Sequence, residues 1–149
     1  MVLREAAVED IQQMHVVRIS VKENQLSNPG LISFTDYEDY LINRGKGWVV
    51  EVQNTVVGFA IVDLIDKNVW ALFVHPNYEG QGYGRRLHDE MMSWYFDQTQ
   101  DTIWLSTGLH TKAEKFYSKA GWQQIAIEPN GELRFEMSFD DWHRERFTE

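Results

Sequence analysis

Gly80, Gly82 and Gly84, three glycines at alternate positions, are the residues whose type and spacing first suggest chemistry in this chain. They follow a continuous apolar run over residues 69–74 that His75-Pro76-Asn77 interrupts. After them comes a helical pattern, with Leu87, Met91, Trp94 and Tyr95 on one face. The run is short and rich in bulky residues, which predicts a buried central strand, and proline ends it because it has no N–H for the ladder. Strand, glycine-rich turn and helix make an anion cradle. Glycine lets the backbone approach a ligand without a Cβ in the way, and the first N–H groups of a helix offer it about half a positive charge. Two familiar phosphate binders are excluded. No Gly-Lys-Ser/Thr follows, as a nucleotide P-loop requires. Gly80-x-Gly82-x-Gly84 is also not the G-x-G-x-x-G of dinucleotide folds, and its strand does not open a βαβ unit. A tight connection with no ligand is the plainer alternative.

Other reactive groups are sparse. The chain has no cysteine, so it offers no thiolate nucleophile, disulfide or thiolate-bound metal. No G-x-S-x-G elbow presents a serine. The five histidines lack a metal spacing such as H-E-x-x-H, so no metal is expected. Glu51 is a candidate catalytic base, as are Asp63 and Glu23, although no spacing separates any of them from a surface carboxylate. Trp48, Trp70 and Trp104 line either a binding pocket or the core.

These residues need elements to hold them. Residues 2–6 read as a strand. A helix then starts at Val8-Glu9-Asp10, with acidic residues in its first turn, and carries Ile11, Met14, Val17 and Val21 inward to about Leu26. Ser27-Asn28-Pro29-Gly30 breaks it. A second helix opens at Phe34-Thr35-Asp36, with Thr35 as N-cap, Tyr37, Tyr40 and Leu41 facing inward, and Gly45 at its end. From Gly47 the period changes to that of strands, with a hairpin around Gln53-Asn54 and a turn at Asp66-Lys67-Asn68. A helix over 82–98, a strand over 102–106, a helix over 111–119 and a last hairpin across Pro129-Asn130-Gly131 complete the pattern. The charged tail from Asp140 reads as a loose helix or frayed end. The expected fold is one α/β (α+β) domain over 1–149, a mixed, mostly antiparallel central sheet of about six or seven strands flanked by about four helices.

Composition narrows the partners. A chain of 149 residues, 43% hydrophobic and 25% charged, is ordinary for one soluble domain. No apolar run reaches the roughly 18 residues of a membrane span, and the N-terminus is too acidic for a signal peptide, so a cytoplasmic location is expected. A net charge of −9 argues against nucleic acid. It suits a cationic small substrate, or merely keeps the protein soluble.

With this order of elements, VHPNYEGQGYGRRL (residues 74–87) resembles the acyl-CoA loop of the GCN5-related N-acetyltransferase (GNAT) family. AEKFYSKAGW (residues 113–122) resembles the family's helix-to-strand segment, and the likeness runs from Leu3 to about Phe139. The resemblance implies acetyl-CoA as donor and a small-molecule or peptide amine as acceptor, joined directly in a ternary complex. It implies that Gly80, Gln81, Gly82, Tyr83, Gly84 and Arg85 hold the pyrophosphate through backbone N–H groups, with Arg85 and Arg86 adding positive charge. Backbone groups of Leu72, Phe73 and Val74 would pair with the pantetheine arm, and an N–H near Phe73 or Val74 would hold the thioester oxygen. Tyr117, on residues alone a packed core ring, becomes the proton donor to the departing thiolate. The first two helices would recognise the acceptor through Glu23, Asn24 and Tyr37, with Trp70 beside them. Two positions depart from the pattern: Glu79 stands where the family usually has Arg or Gln, and the cofactor contact His110 stands where an Asn often sits. They motivate the alternative, a non-catalytic acyl-CoA-binding sensor or interaction module; a nucleotide-binding domain is a third reading. A homodimer through the last strands or the tail is compatible with the sequence.

Overall fold

The Gln53-Asn54 hairpin organises the first half of the chain. In the computed structural model, which describes residues 1–21 and 32–147, β2 (Gly45–Val52) and β3 (Thr55–Asp63) are joined by two left-handed residues, φ 51° at Gln53 and 64° at Asn54. Two successive positive φ values make a mirror-image type I turn, whose twist matches that of the strands it joins. β1 (Val2–Glu5) pairs antiparallel with β2, and β4 (Asn68–Val74) pairs antiparallel with β3.

The chain divides into two compact units, Met1–Tyr95 and Phe96–Glu149. In the first, α1 (Ile11–Ser20) and α2 (Phe34–Asp39) cover one sheet face, packing Ile11, Met14, Val17 and Tyr37 with Phe59, Ile61, Ala71 and Phe73. α3 (Tyr83–Gln98) covers the other face: the Trp94 ring meets Trp48 edge-on at 5.7 Å, and Leu87 packs over Gly58. Each large apolar side chain buried this way contributes roughly 2–3 kcal/mol. The strand buried on both faces is β3, every residue of which from Val56 to Asp63 is buried. β4, expected in that role, buries only Ala71 and Phe73. A continuous apolar run marks a strand without saying how deep it lies.

Both early helices differ from expectation at their ends. α1 follows a 3₁₀ turn at Val8–Asp10 and stops at Ser20, with Val21 extended, φ −84° and ψ 109°; the rest of the expected stretch to Leu26 lies outside the described residues. Val16, Val17, Ile19 and Val21 are β-branched, and such residues hold a helix weakly. The expected break at Ser27-Asn28-Pro29-Gly30 lies outside the described residues. α2 is capped by Ser33 rather than Thr35. The Ser33 hydroxyl accepts from the Asp36 N–H at 3.2 Å and an Asp36 carboxylate oxygen accepts from the Ser33 N–H at 2.8 Å, a reciprocal box. One π turn, Tyr40–Arg44, then delivers the chain to β2.

The second unit contains β5 (Ile103–Thr107), α4 (Lys112–Lys119), β6 (Gln123–Ile127), β7 (Leu133–Met137) and α5 (Phe139–Phe147). β7 pairs antiparallel with both β5 and β6. Thr111 caps α4 by accepting from the Glu114 N–H at 3.2 Å. The tail, expected as a loose helix or a frayed end, is helical as α5, and Trp142 stacks on Phe96 with ring centroids 6.2 Å apart. Overall the fold is mixed α/β, with a seven-stranded, mostly antiparallel sheet and five α-helices among the described residues. None of those helices is long and apolar enough to cross a membrane.

Candidate active site

The cradle begins where β4 ends. His75 caps a short 3₁₀ turn, Pro76–Tyr78, by accepting from the Asn77 N–H at 3.1 Å through Nδ1. Glu79 is extended, and Gly80 and Gly82 then take left-handed backbone, φ 77° and 83°. A Cβ built at either glycine would meet no heavy atom within 4 Å. The glycines are therefore required by backbone conformation, and the space beside them is open. The first helical bond of α3 runs from the Arg86 N–H to the Gly82 carbonyl at 3.1 Å. The N–H groups of Tyr83, Gly84 and Arg85 precede it and have no partner inside the helix. Three converging amides at the positive end of a 16-residue helix, beside an open glycine loop, suit an anionic group.

The charged side chains here contribute less than the backbone. Arg85 Nε pairs with Asp89 at 3.2 Å, so its charge is largely offset within α3. Arg86 is exposed and reaches the Met1 sulfur at 3.9 Å. Gln81 and Glu79 are also exposed.

Pleat geometry sorts the β4 backbone. Phe73 stands opposite Phe59 and Val74 opposite Gly58, while the His75 N–H donates to the Val57 carbonyl at 2.8 Å. In an antiparallel ladder this makes Phe73–Phe59 a mutually hydrogen-bonded pair. The Phe73 N–H is thus committed to β3, whereas the backbone groups of Leu72 and Val74 point away from it. Of the two N–H groups named from the sequence, at Phe73 and Val74, the one not committed to β3 is that of Val74.

Tyr117 is 6% exposed on α4, edge-on to Trp122 at 5.5 Å and tilted against Phe135 at 6.0 Å. Burial pushes its phenol well above the ordinary tyrosine range, so it stays protonated at neutral pH. His110 takes left-handed backbone, φ 61°, directly before the Thr111 cap. Histidine tolerates that region better than most side chains do.

The carboxylates expected to act as bases are occupied. Arg4 forks between Asp10, with two contacts of 2.8 Å, and Glu51, reached at 2.7 Å through Nε and more closely through Nη2. Asp63 is fully buried, with Arg44 Nη2 on one oxygen and the Ile65 N–H on the other, each at 2.8 Å. Both carboxylates are thus engaged by guanidinium groups within the fold. Glu23 and Asn24 lie outside the described residues.

Tyr37 and Trp70 do come together. Between β3 and β4 the register passes from Ile61–Ala71 to Val62–Val69, leaving Trp70 as the extra residue of a bulge. The bulge re-aims its ring onto the α1–α2 side of the sheet. There Trp70 stacks on Tyr40 at 4.1 Å and 16° and meets Tyr37 edge-on at 5.3 Å, and the Tyr37 hydroxyl contacts His15 Nδ1 at 2.9 Å. Trp48 is core, and Trp104 is half-buried beneath Arg134 at 4.4 Å. Sequence reasoning missed Arg18. Its Cζ lies 5.1 Å over the Trp70 ring and 4.9 Å over Phe73. The available signal was a basic residue at i+4 from Met14 on the apolar stripe of α1. No group of three or more His, Asp or Glu among the described residues could hold a metal ion.

The chain belongs to the acetyltransferase (GNAT) family, whose profile matches residues 11–122. It is 31% identical over 81 residues to a ribosomal protein bS18-alanine N-acetyltransferase of Haemophilus ducreyi, which is 52% of this chain and 56% of that protein. It spans about half the length of the curated relatives it matches. Its fold is that of the ribosomal-protein-alanine N-acetyltransferase from Brucella melitensis (TM-score 0.77, 18% identity, 93% of this chain and 99% of that one). It is likewise that of the PaiA N-acetyltransferase from Thermoplasma acidophilum in complex with coenzyme A (TM-score 0.76, 14% identity, 92% and 98%).

Proposed function

We propose that the chain is an acetyl-CoA-dependent N-acetyltransferase that joins the acetyl group to an amine by direct attack in a ternary complex. The observation that carries this reading is the cradle: left-handed Gly80 and Gly82 face open space before three N–H groups of α3 that have no partner inside the helix, in a chain of this family. Acetyl-CoA, when bound, supplies the acetyl group and a thiolate as leaving group. The N–H groups of Tyr83, Gly84 and Arg85 hold its pyrophosphate. Leu72 and Val74 offer backbone groups to the pantetheine arm, and the Val74 N–H receives charge that develops on the carbonyl oxygen. As the amine nitrogen bonds to the carbonyl carbon, the carbon–sulfur bond breaks. The amine gives its extra proton to solvent water rather than to Glu51 or Asp63. Tyr117 protonates the thiolate and regains its proton from solvent. The phenol is protonated at neutral pH and so carries the proton this step needs.

The relatives' names support an amino-acid or peptide amine as acceptor. A cytoplasmic location belongs to the same proposal and is consistent with a chain that uses no cysteine. Calorimetric titration with acetyl-CoA, ATP and NAD tests the cradle: binding of acetyl-CoA alone is expected, and no binding at millimolar acetyl-CoA would end the proposal. A panel of amines with acetyl-CoA, followed by free thiol release, tests turnover. Binding without turnover on any amine would favour the sensor reading.

A further inference from the structure

Among the described arginines, Arg18 combines guanidinium nitrogens shielded from solvent with the lack of a carboxylate partner; Arg86, also without one, is exposed. Arg4, Arg44, Arg85, Arg134 and Arg144 each have a carboxylate at hydrogen-bonding distance. Arg18 has none among the described residues, although the chain carries 23 acidic residues against 14 basic ones. Its Nε and Nη1 are shielded from solvent and have no hydrogen-bond partner. What surrounds it is aromatic: Trp70 and Phe73 lie under the guanidinium, and the Tyr37 hydroxyl accepts a hydrogen bond from it, leaving the Nε and Nη1 edge to the rings. Ring faces stabilise a cation, but they give its N–H edge no acceptor. Buried charged donors left unsatisfied are costly and rare, so each one needs a reason.

Position supplies the reason. Arg18 lies in the last turn of α1, and the bulge that makes Trp70 the extra residue of β4 turns that ring beneath it. A planar fork whose charge is held by rings and whose Nε and Nη1 edge is unclaimed is suited to receive a carboxylate, the ligand group whose two oxygens match that edge. We propose that Arg18, backed by Trp70 and Phe73, binds a carboxylate of the acceptor and so selects amines that carry one. The proposal rests on the acceptor reading above and names the substrate class for it. The carboxylate belongs either to a free amino acid or to an acidic side chain near the amine of a peptide. Arg18 is a specificity residue here and moves no proton.

The test compares matched probes that differ only in the anion: alanine against alaninamide, and alanyl-glutamate amide against alanyl-glutamine amide. Affinity is read by calorimetry with coenzyme A present, and kcat/KM by thiol release. The wild type should favour the carboxylate member of at least one pair by about tenfold to a hundredfold. The responding pair identifies the source of the carboxylate. Arg18→Gln should abolish that preference while leaving acetyl-CoA binding intact, and Arg18→Lys should keep part of it. Equal affinity for both members of each pair in the wild type would overturn the proposal without any variant. So would an unchanged preference in Arg18→Gln. Preference in binding with no turnover would sink the enzyme reading and leave this one standing; turnover without preference would do the reverse.

Discussion

Tyr117 joins two properties in one side chain, since the burial that makes it a core ring also fixes its protonation. Replacing it with phenylalanine keeps the ring contacts with Trp122 and Phe135 and removes only the hydroxyl. For Tyr117→Phe we expect kcat to fall by about a hundredfold with the KM for acetyl-CoA little changed; an unchanged kcat removes it from the acid role. The folded-state pKa lies above the unfolded value near 10, so the folded chain holds the proton more tightly. Stability from this group is therefore complete below about pH 10 and declines as pH rises further. Denaturant midpoints across pH 9–11 should fall in the wild type and less in Tyr117→Phe. Asp10 has the opposite sign. The Arg4 hydrogen bonds hold its carboxyl below the ordinary range, so its contribution is present above about pH 4 and is lost as pH falls through the folded value. Asp10→Ala also frees the Ala7 N–H and half of the Arg4 fork, and should cost about 2 kcal/mol by chemical denaturation. Specific activity of the folded enzyme should survive, because neither Asp10 nor Glu51 is placed in the proposed chemistry. Pairings of this kind are poorly legible in a sequence. Glu51 looks like any carboxylate until the β1–β2 register brings Arg4 opposite Val49, and Arg18 looks like a surface cation until rings close around it.

Among the elements, the glycine loop was the most legible, because left-handed backbone demands particular residue types. The three glycines nevertheless serve two purposes. Gly80 and Gly82 need their φ values, whereas Gly84 is the second residue of α3. An aspartate in the first turn of a helix is favourable to the dipole, by about 0.3–1 kcal/mol, yet places a negative charge beside the proposed pyrophosphate. Gly84→Asp should thus keep or raise the melting temperature while acetyl-CoA binding is lost. Retained binding would show that the phosphates sit elsewhere. Caps are less legible, since Ser33 and Thr35 both suit the N-cap and only the reciprocal bond from Asp36 decides between them. The depth of β3 and β4 also could not be read from their apolar runs, because it depends on which helices lie over each face.

At the scale of the whole molecule, the net charge of −9 bears on how a polyanionic donor arrives. Arg85 is already paired with Asp89, so the overall field should repel acetyl-CoA on approach. Raising ionic strength toward physiological salt, where the screening length is about 8 Å, should then increase its association rate in stopped-flow measurements. A decrease would mean that the local charge of Arg86 outweighs the whole. Composition carries this acidity and the six tryptophans, but not how those tryptophans divide between core and site. Trp48, Trp122 and Trp142 are buried, while Trp70 is half-buried, stacked on Tyr40 and under the Arg18 cation. The β4 bulge therefore gives the chain a built-in optical probe. A carboxylate that settles on Arg18 changes the charge over an indole, so ligand arrival should shift or quench emission, and Trp70→Phe should silence that signal.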